Sequence, residues 1–337
     1  MRIVFLGAIN LSNLPNGGEE CKNQILISKI NVEFNCAKII DTYQWIKRPK
    51  LWWCLFLNIF LRKVDVILIS ASSVSTYRLL KLMRFIKPTL LRKTTYLVIG
   101  GYFSEGIRLK RFNWKVYKNL KNVLVEGELL QKKVQANSGL SNVKVITNFK
   151  IIPDLPLRNS ERLNNNVRFV FVGRICKGKG VLAILEAVEL LNKTNQKFEV
   201  DFYGPLEEEF DFNSNKTNYC GFLDFQNDPK QAYSNLGNYD CMLFPTYWKG
   251  EGFPGVIIDA FISGLPVIAT DWNMNSEIIE DGINGFIIPP NDSVSLANKM
   301  IWVMDNRDTA QTIGARNQKK ANEYHVDHIW LKIMELL

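Results

Sequence analysis

Phe244-Pro245-Thr246-Tyr247-Trp248-Lys249-Gly250-Glu251-Gly252-Phe253-Pro254-Gly255-Val256-Ile257-Ile258-Asp259-Ala260 leads from an apolar run, Cys241 to Phe244, into an apolar segment opened by Pro254 and Gly255. The short run reads as a strand. Pro is tolerated in a first helical turn, where its missing N–H would have had no partner, so a helix starts at Pro254 or Gly255. A helix N-terminus then meets a strand's carboxyl edge, the place where open α/β sheets bind ligands. Free N–H groups and the positive end of the helix dipole favour a phosphate there. Two carboxylates bracket the turn, Glu251 before the helix and Asp259 within it, separated by seven residues. They could hold sugar and ribose hydroxyls. Read blindly, such a pair is often only a cap and a surface charge.

The same strand-then-helix rhythm extends outward. Val167 to Val172, Phe198 to Tyr203, Pro266 to Ala269 and Gly285 to Ile288 join Cys241 to Phe244 as one series of strands. Ile3 to Leu6, Val64 to Ile69, Thr95 to Ile99, Val123 to Val125 and Val143 to Ile146 form another. Strands alternating with helical stretches imply parallel sheets, so the expected fold class is α/β, with two Rossmann-like doubly wound domains. A chain of 337 residues accommodates two cores. Residues 156–166, with Pro156 and Asn164-Asn165-Asn166, have linker composition. They separate an N-terminal domain, 1–155, from a second, 167–320, and residues 321–337 are expected to form a helix closing across the two.

Charge divides along the same line. Up to residue 163 there are 27 Lys and Arg against 10 Asp and Glu, a balance of +17, whereas the remainder carries −8. A basic half implies an anionic partner: nucleic acid, an acidic membrane leaflet or a phosphorylated substrate. Residues 45–63, WIKRPKLWWCLFLNIFLRK, place three Trp and two Phe between clusters of Lys and Arg. The segment is too short and too basic to span a bilayer. It reads either as an interfacial helix meeting anionic lipid or as a buried helix with charged ends. The opening MRIVFLGAIN reads as a strand and not a signal peptide, and six scattered cysteines read as reduced thiols, so the expected location is cytoplasmic.

Further short motifs surround the opening stretch. Gly264-Leu265-Pro266-Val267-Ile268-Ala269-Thr270 follows it, then Glu277 and Asp281-Gly282-Ile283-Asn284-Gly285-Phe286. Val172-Gly173-Arg174, Lys179-Gly180, Tyr203-Gly204-Pro205 and Gly221-Phe222 precede it. In order and spacing, residues 167 to 290 resemble family 4 of the retaining glycosyltransferases, which share the GT-B fold of two domains facing across a cleft and carry a Glu-x7-Glu motif here. The resemblance thins in the first domain, where Gly17-Gly18 is similar to the family's glycine-rich loop. Here the second acid is Asp259, one methylene shorter. The only histidines, His325 and His328, do not stand where many members place one near the reacting sugar.

The resemblance implies a nucleotide-sugar donor site, with Glu251 on the sugar and Asp259 on the ribose. The turn Gly252-Phe253-Pro254-Gly255-Val256 would hold the diphosphate beside Arg174 and Lys179, and Gly17, Gly18, Gly173 and Gly204 would complete the site. Arg174, Lys179 and Glu251 are then the catalytic residues, the two cations stabilising charge that grows on the leaving diphosphate. No Asp-x-Asp motif stands beside a donor strand, so no metal or other cofactor is expected. The implied reaction is hexosyl transfer with retention, from UDP-sugar in preference to GDP-sugar, to a glycan or lipid-linked glycan. Surface polysaccharide or lipopolysaccharide assembly would be its setting, at the inner face of the membrane. The alternatives are a GT-B sugar-nucleotide epimerase or hydrolase and a nucleic-acid-binding protein. The second is disfavoured because no nucleic-acid signature is present and the positive charge is spread over many elements.

Overall fold

The computed structural model describes residues 1–10, 18–45, 48–157, 166–193, 197–212 and 216–337; Gly17, Lys47 and most of the expected linker lie outside the described residues. The chain divides into two compact units, Met1–Ile151 with Val326–Leu337, and Ile152–His325.

Each unit contains a six-stranded parallel sheet. In the first, β1 (Arg2–Gly7), β2 (Cys36–Asp41), β3 (Val66–Ser70), β4 (Thr94–Leu97), β5 (Asn122–Val125) and β6 (Val143–Val145) are ordered β2-β1-β3-β4-β5-β6. In the second, β7 (Val167–Val172), β8 (Phe198–Tyr203), β9 (Thr217–Tyr219), β10 (Cys241–Phe244), β11 (Val267–Thr270) and β12 (Gly285–Ile288) are ordered β12-β11-β10-β7-β8-β9. Both are doubly wound α/β sheets of the Rossmann type. Strands covered on both faces must be apolar throughout, and β3, β4, β10 and β11 are buried at every position. Two strands escaped the sequence reading for the converse reason. β2 and β9 are sheet edges that interleave Lys38, Asp41 and Asn218 with their apolar residues.

Helix Val181–Leu191 buries Val181, Ile184, Ala187, Val188 and Leu191, a stripe at helical spacing, against Phe169, Phe171, Phe202 and Leu243 of the second sheet. The last helix, Val326–Leu336, packs Val326, Ile329, Trp330 and Ile333 into the first unit's core with Phe5, Leu68 and Leu124. Its start is pinned by Val326 N–H donating to the Lys150 carbonyl at 2.9 Å. Its end is pinned by Asn122 Nδ2 donating to the Leu336 carbonyl at 2.8 Å. The first satisfies an N–H that a helix start leaves open, the second a carbonyl that a helix end leaves open. All six cysteines are free thiols. Among the described residues no helix is long and apolar enough to cross a membrane.

Candidate active site

In the second sheet the strand order reverses beside β7, with β8 and β9 on one side and β10 to β12 on the other. The crevice outside the carboxyl ends of β7 and β10 is therefore the switch point where doubly wound sheets take ligands. Three loops meet there. Val172 and Tyr203 end β7 and β8 in register, so Gly173 N–H donates to the Tyr203 carbonyl at 2.9 Å, and Gly204 N–H donates to the Gly221 carbonyl at 2.7 Å. A Cβ on Gly204 would lie 2.0 Å from the Gly173 carbonyl oxygen, at φ +133°, so only glycine permits this approach.

Gly180 closes the β7 loop onto the β10 loop in the same manner, with φ +81° and a missing Cβ that would stand 2.1 Å from the Pro245 carbonyl oxygen. Lys179 is thereby delivered to Glu251: Nζ donates to Oε2 at 2.5 Å, both side chains being largely buried. Thr246 Oγ1 donates to the same oxygen at 3.1 Å, and Asn273 Nδ2 donates to the Glu251 backbone carbonyl at 3.0 Å. A carboxylate so held leaves the sheet edge with an ion pair fixed in place.

Arg174 lies with its guanidinium 4.6 Å over the Trp248 ring and Nη1 3.4 Å from each carboxylate oxygen of Glu207. The ring fits because residue 178 is glycine, whose Cβ would approach it to 2.6 Å. Trp272 Nε1 anchors the loop by donating to the Trp248 carbonyl at 2.8 Å. Helix Gly255–Ile262 follows, with Pro254 as its N-cap residue and no side chain capping its first turn. Within that turn Ile257 N–H turns back to the Pro254 carbonyl at 3.2 Å, and the positive end of the helix dipole favours an anion beside it.

The geometry thus gathers Gly173, Arg174, Lys179, Gly204, Glu251, Gly252, Gly255 and Val256 at one sheet edge. Others on the expected list stand differently. Phe253 is buried with its ring 5.8 Å from that of Tyr324, so it anchors the turn, and Pro254 beside it is buried too. Asp259 is only 5% exposed, and its Oδ1 accepts from Tyr233 Oη at 2.8 Å. Gly18 is the exposed first residue of helix Gly18–Glu33 in the other unit. Thr246, Trp248, Asn273 and Glu207 were not singled out from the sequence. The first three lie within or beside the quoted motifs, but only folding shows that they hold Glu251 and Arg174.

The first unit has its own buried polar cluster at the carboxyl end of its sheet. Lys22 Nζ donates to Glu126 Oε1 at 2.8 Å, both buried, and burial beside Glu20 pushes the Glu19 carboxyl up to about 7.

Residues 156–320 match the family model described as glycosyl transferases group 1. Over 255 residues the chain is 27% identical to an uncharacterised protein of the cps region of Klebsiella pneumoniae, covering 68% of this chain and 66% of that protein. It is 27% identical over 176 residues to the capsular polysaccharide biosynthesis glycosyltransferase CapM of Staphylococcus aureus, covering 50% and 45%. The chain therefore spans less than two thirds of the length of these two curated relatives. In fold it is similar to the crystal structure of Anabaena Alr3699/HepE in complex with UDP, at a TM-score of 0.73 and 18% identity over 99% of each chain. The structural match shows a shared two-domain α/β fold, and the family match is confined to residues 156–320.

Proposed function

We propose that the chain is a family 4 retaining glycosyltransferase that moves a hexose from a UDP-sugar to a glycan or lipid-linked glycan during surface polysaccharide or lipopolysaccharide assembly. The observation that carries this reading is the Lys179–Glu251 pair beside an uncapped helix start at the sheet's switch point. Lys179, Arg174 and the first-turn N–H groups supply positive potential for a diphosphate, and Glu251 supplies an acceptor for sugar hydroxyls. Asp259, positioned by the hydrogen bond from Tyr233, takes the ribose. Cations and helix dipole do the work a divalent ion would otherwise do, so transfer is metal-independent. The UDP complex of the Anabaena protein supports UDP as the base-bearing half of the donor. The basic first unit meets the acceptor at the cytoplasmic face of an anionic membrane, with residues 45–63 at the surface.

A panel of UDP-, GDP- and ADP-hexoses, each incubated with and without a polyprenyl-diphosphate-linked sugar, tests this. The expected result is slow loss of one UDP-sugar alone, rapid transfer with the acceptor, a product retaining the donor's α configuration, and no effect of EDTA. Equal donor consumption without acceptor would instead identify an epimerase or hydrolase, and loss of transfer in EDTA would overturn metal independence.

A further inference from the structure

Helix Pro49–Leu55 passes directly into a π-helical turn, Phe56–Leu61, and this continuous element buries Leu55, Ile59 and Phe60 while leaving Trp52, Trp53, Leu57 and Leu61 outside. Lys50, Trp53, Leu57 and Leu61 follow at spacings of three, four and four, one stripe along its outer face. Trp53 is 67% exposed and Leu61 64%. A second stripe lies on helix Ser73–Ile86, where Leu79, Leu80 and Met83 point inward while Leu82, Phe85 and Ile86 are exposed, Phe85 at 90%.

The two elements are linked at two places. Trp45, which precedes the first element, and Leu55, midway along it, share a small apolar cavity with Ser75 and Leu79 of the second. At their ends, Lys87 Nζ donates to the Phe60 carbonyl at 3.3 Å. Leu61, next to Phe60, therefore stands near the end of the helix that carries Leu82, Phe85 and Ile86. The charge along this stretch is predominantly positive, although Arg48 pairs with Asp41 at 3.5 Å. Residues 48–93 contain ten Lys and Arg and a single acid, Asp65, whose carboxylate already accepts from the Arg2 backbone N–H at 2.8 Å.

We infer that these two helices form one composite docking face for an anionic lipid bilayer, with Trp53, Leu61 and Phe85 entering the headgroup region and the surrounding cations meeting lipid phosphates. This deepens, and takes its purpose from, the reading of a membrane-proximal acceptor. It adds the end of helix Ser73–Ile86, which composition alone did not mark. Exposed aromatics ringed by Lys and Arg match what an interface of acyl chain and anionic headgroup rewards, and two shallow contacts hold a protein at a surface where one is marginal.

Cosedimentation with phosphatidylcholine vesicles, with and without phosphatidylglycerol, tests the assignment on the full chain. Wild type is expected to bind only vesicles containing phosphatidylglycerol. Phe85→Ser and Trp53→Ser are each expected to weaken binding about tenfold, the scale of one large apolar side chain kept in water. The thermal shift produced by UDP, measured on the same variants, reports folding and the donor site separately and should not change. Three results would overturn the inference: no binding of wild type to the anionic vesicles, Phe85→Ser binding as wild type does, or variants that lose self-association in sedimentation velocity but keep vesicle binding. UDP stabilisation without vesicle binding sinks this inference alone. Vesicle binding without UDP stabilisation sinks the donor-site reading and leaves this one standing.

Discussion

Lys179→Ala is expected to lower kcat/KM for sugar transfer by about 10²–10³-fold with the second unit still folded, as loss of one preorganised charge-stabilising group does. Its ammonium sits 2.5 Å from Glu251 at the carboxyl edge of β7 and β10, beside a helix start with no side-chain cap. As the donor departs, negative charge accumulates on the diphosphate, and a cation already positioned needs no reorganisation to meet it. Removing it also leaves Glu251 buried without its cation, which costs stability as well as rate. Lys179→Arg separates the two: it restores charge and therefore folding, yet its planar fork does not reproduce the single Nζ–Oε2 geometry. Steady-state kinetics beside thermal melts would check this. An alanine variant turning over within about threefold of wild type contradicts the catalytic role.

Gly180→Val is the second large effect. The new Cβ would approach the Pro245 carbonyl oxygen to 2.1 Å and its carbon to 2.7 Å, and the backbone there has φ +81°. The obstacle is backbone, which cannot rotate away, so the β7 and β10 loops must part and Lys179 must leave Glu251. The expected cost is on the order of 3 kcal/mol or more, a fall in melting temperature of roughly 10 °C for a unit of this size. Gly282→Ala is the control. Its φ is +77°, but nothing lies within 4 Å of the added Cβ, so it bears the strain alone, about 1 kcal/mol. Equal melting temperatures for the two variants would show that loop closure at Gly180 contributes nothing.

Much of the donor unit is legible in the chain because each feature is local. The strands β7, β8, β10, β11 and β12 are apolar runs, the helix start is marked by Pro254 and Gly255, and the tight approaches demand glycine at 180 and 204. What could not be read is long-range. The hydrogen bond from Tyr233 to Asp259 joins residues 26 apart, and the guanidinium of Arg174 meets the ring of Trp248 from a different loop. Spacing carries no information about either. β2 was missed because an edge strand is half polar, and the helix over residues 49–61 was ambiguous because its apolar residues face both ways, Leu55 and Ile59 inward and Trp53 and Leu61 outward. Only the fold decides which aromatic residues are core and which are surface.

The central claim is that a nucleoside diphosphate binds at the β7–β10 edge, and its most direct test is the thermal shift of wild type and Arg174→Ala with UDP. At a hundredfold excess of UDP over its dissociation constant, wild type should gain about 2.7 kcal/mol, a rise on the order of 5 °C or more. Arg174→Ala, having lost the guanidinium that rests on Trp248, should gain far less at the same concentration. A wild type that no nucleoside diphosphate stabilises, or a variant stabilised just as strongly, would contradict the account.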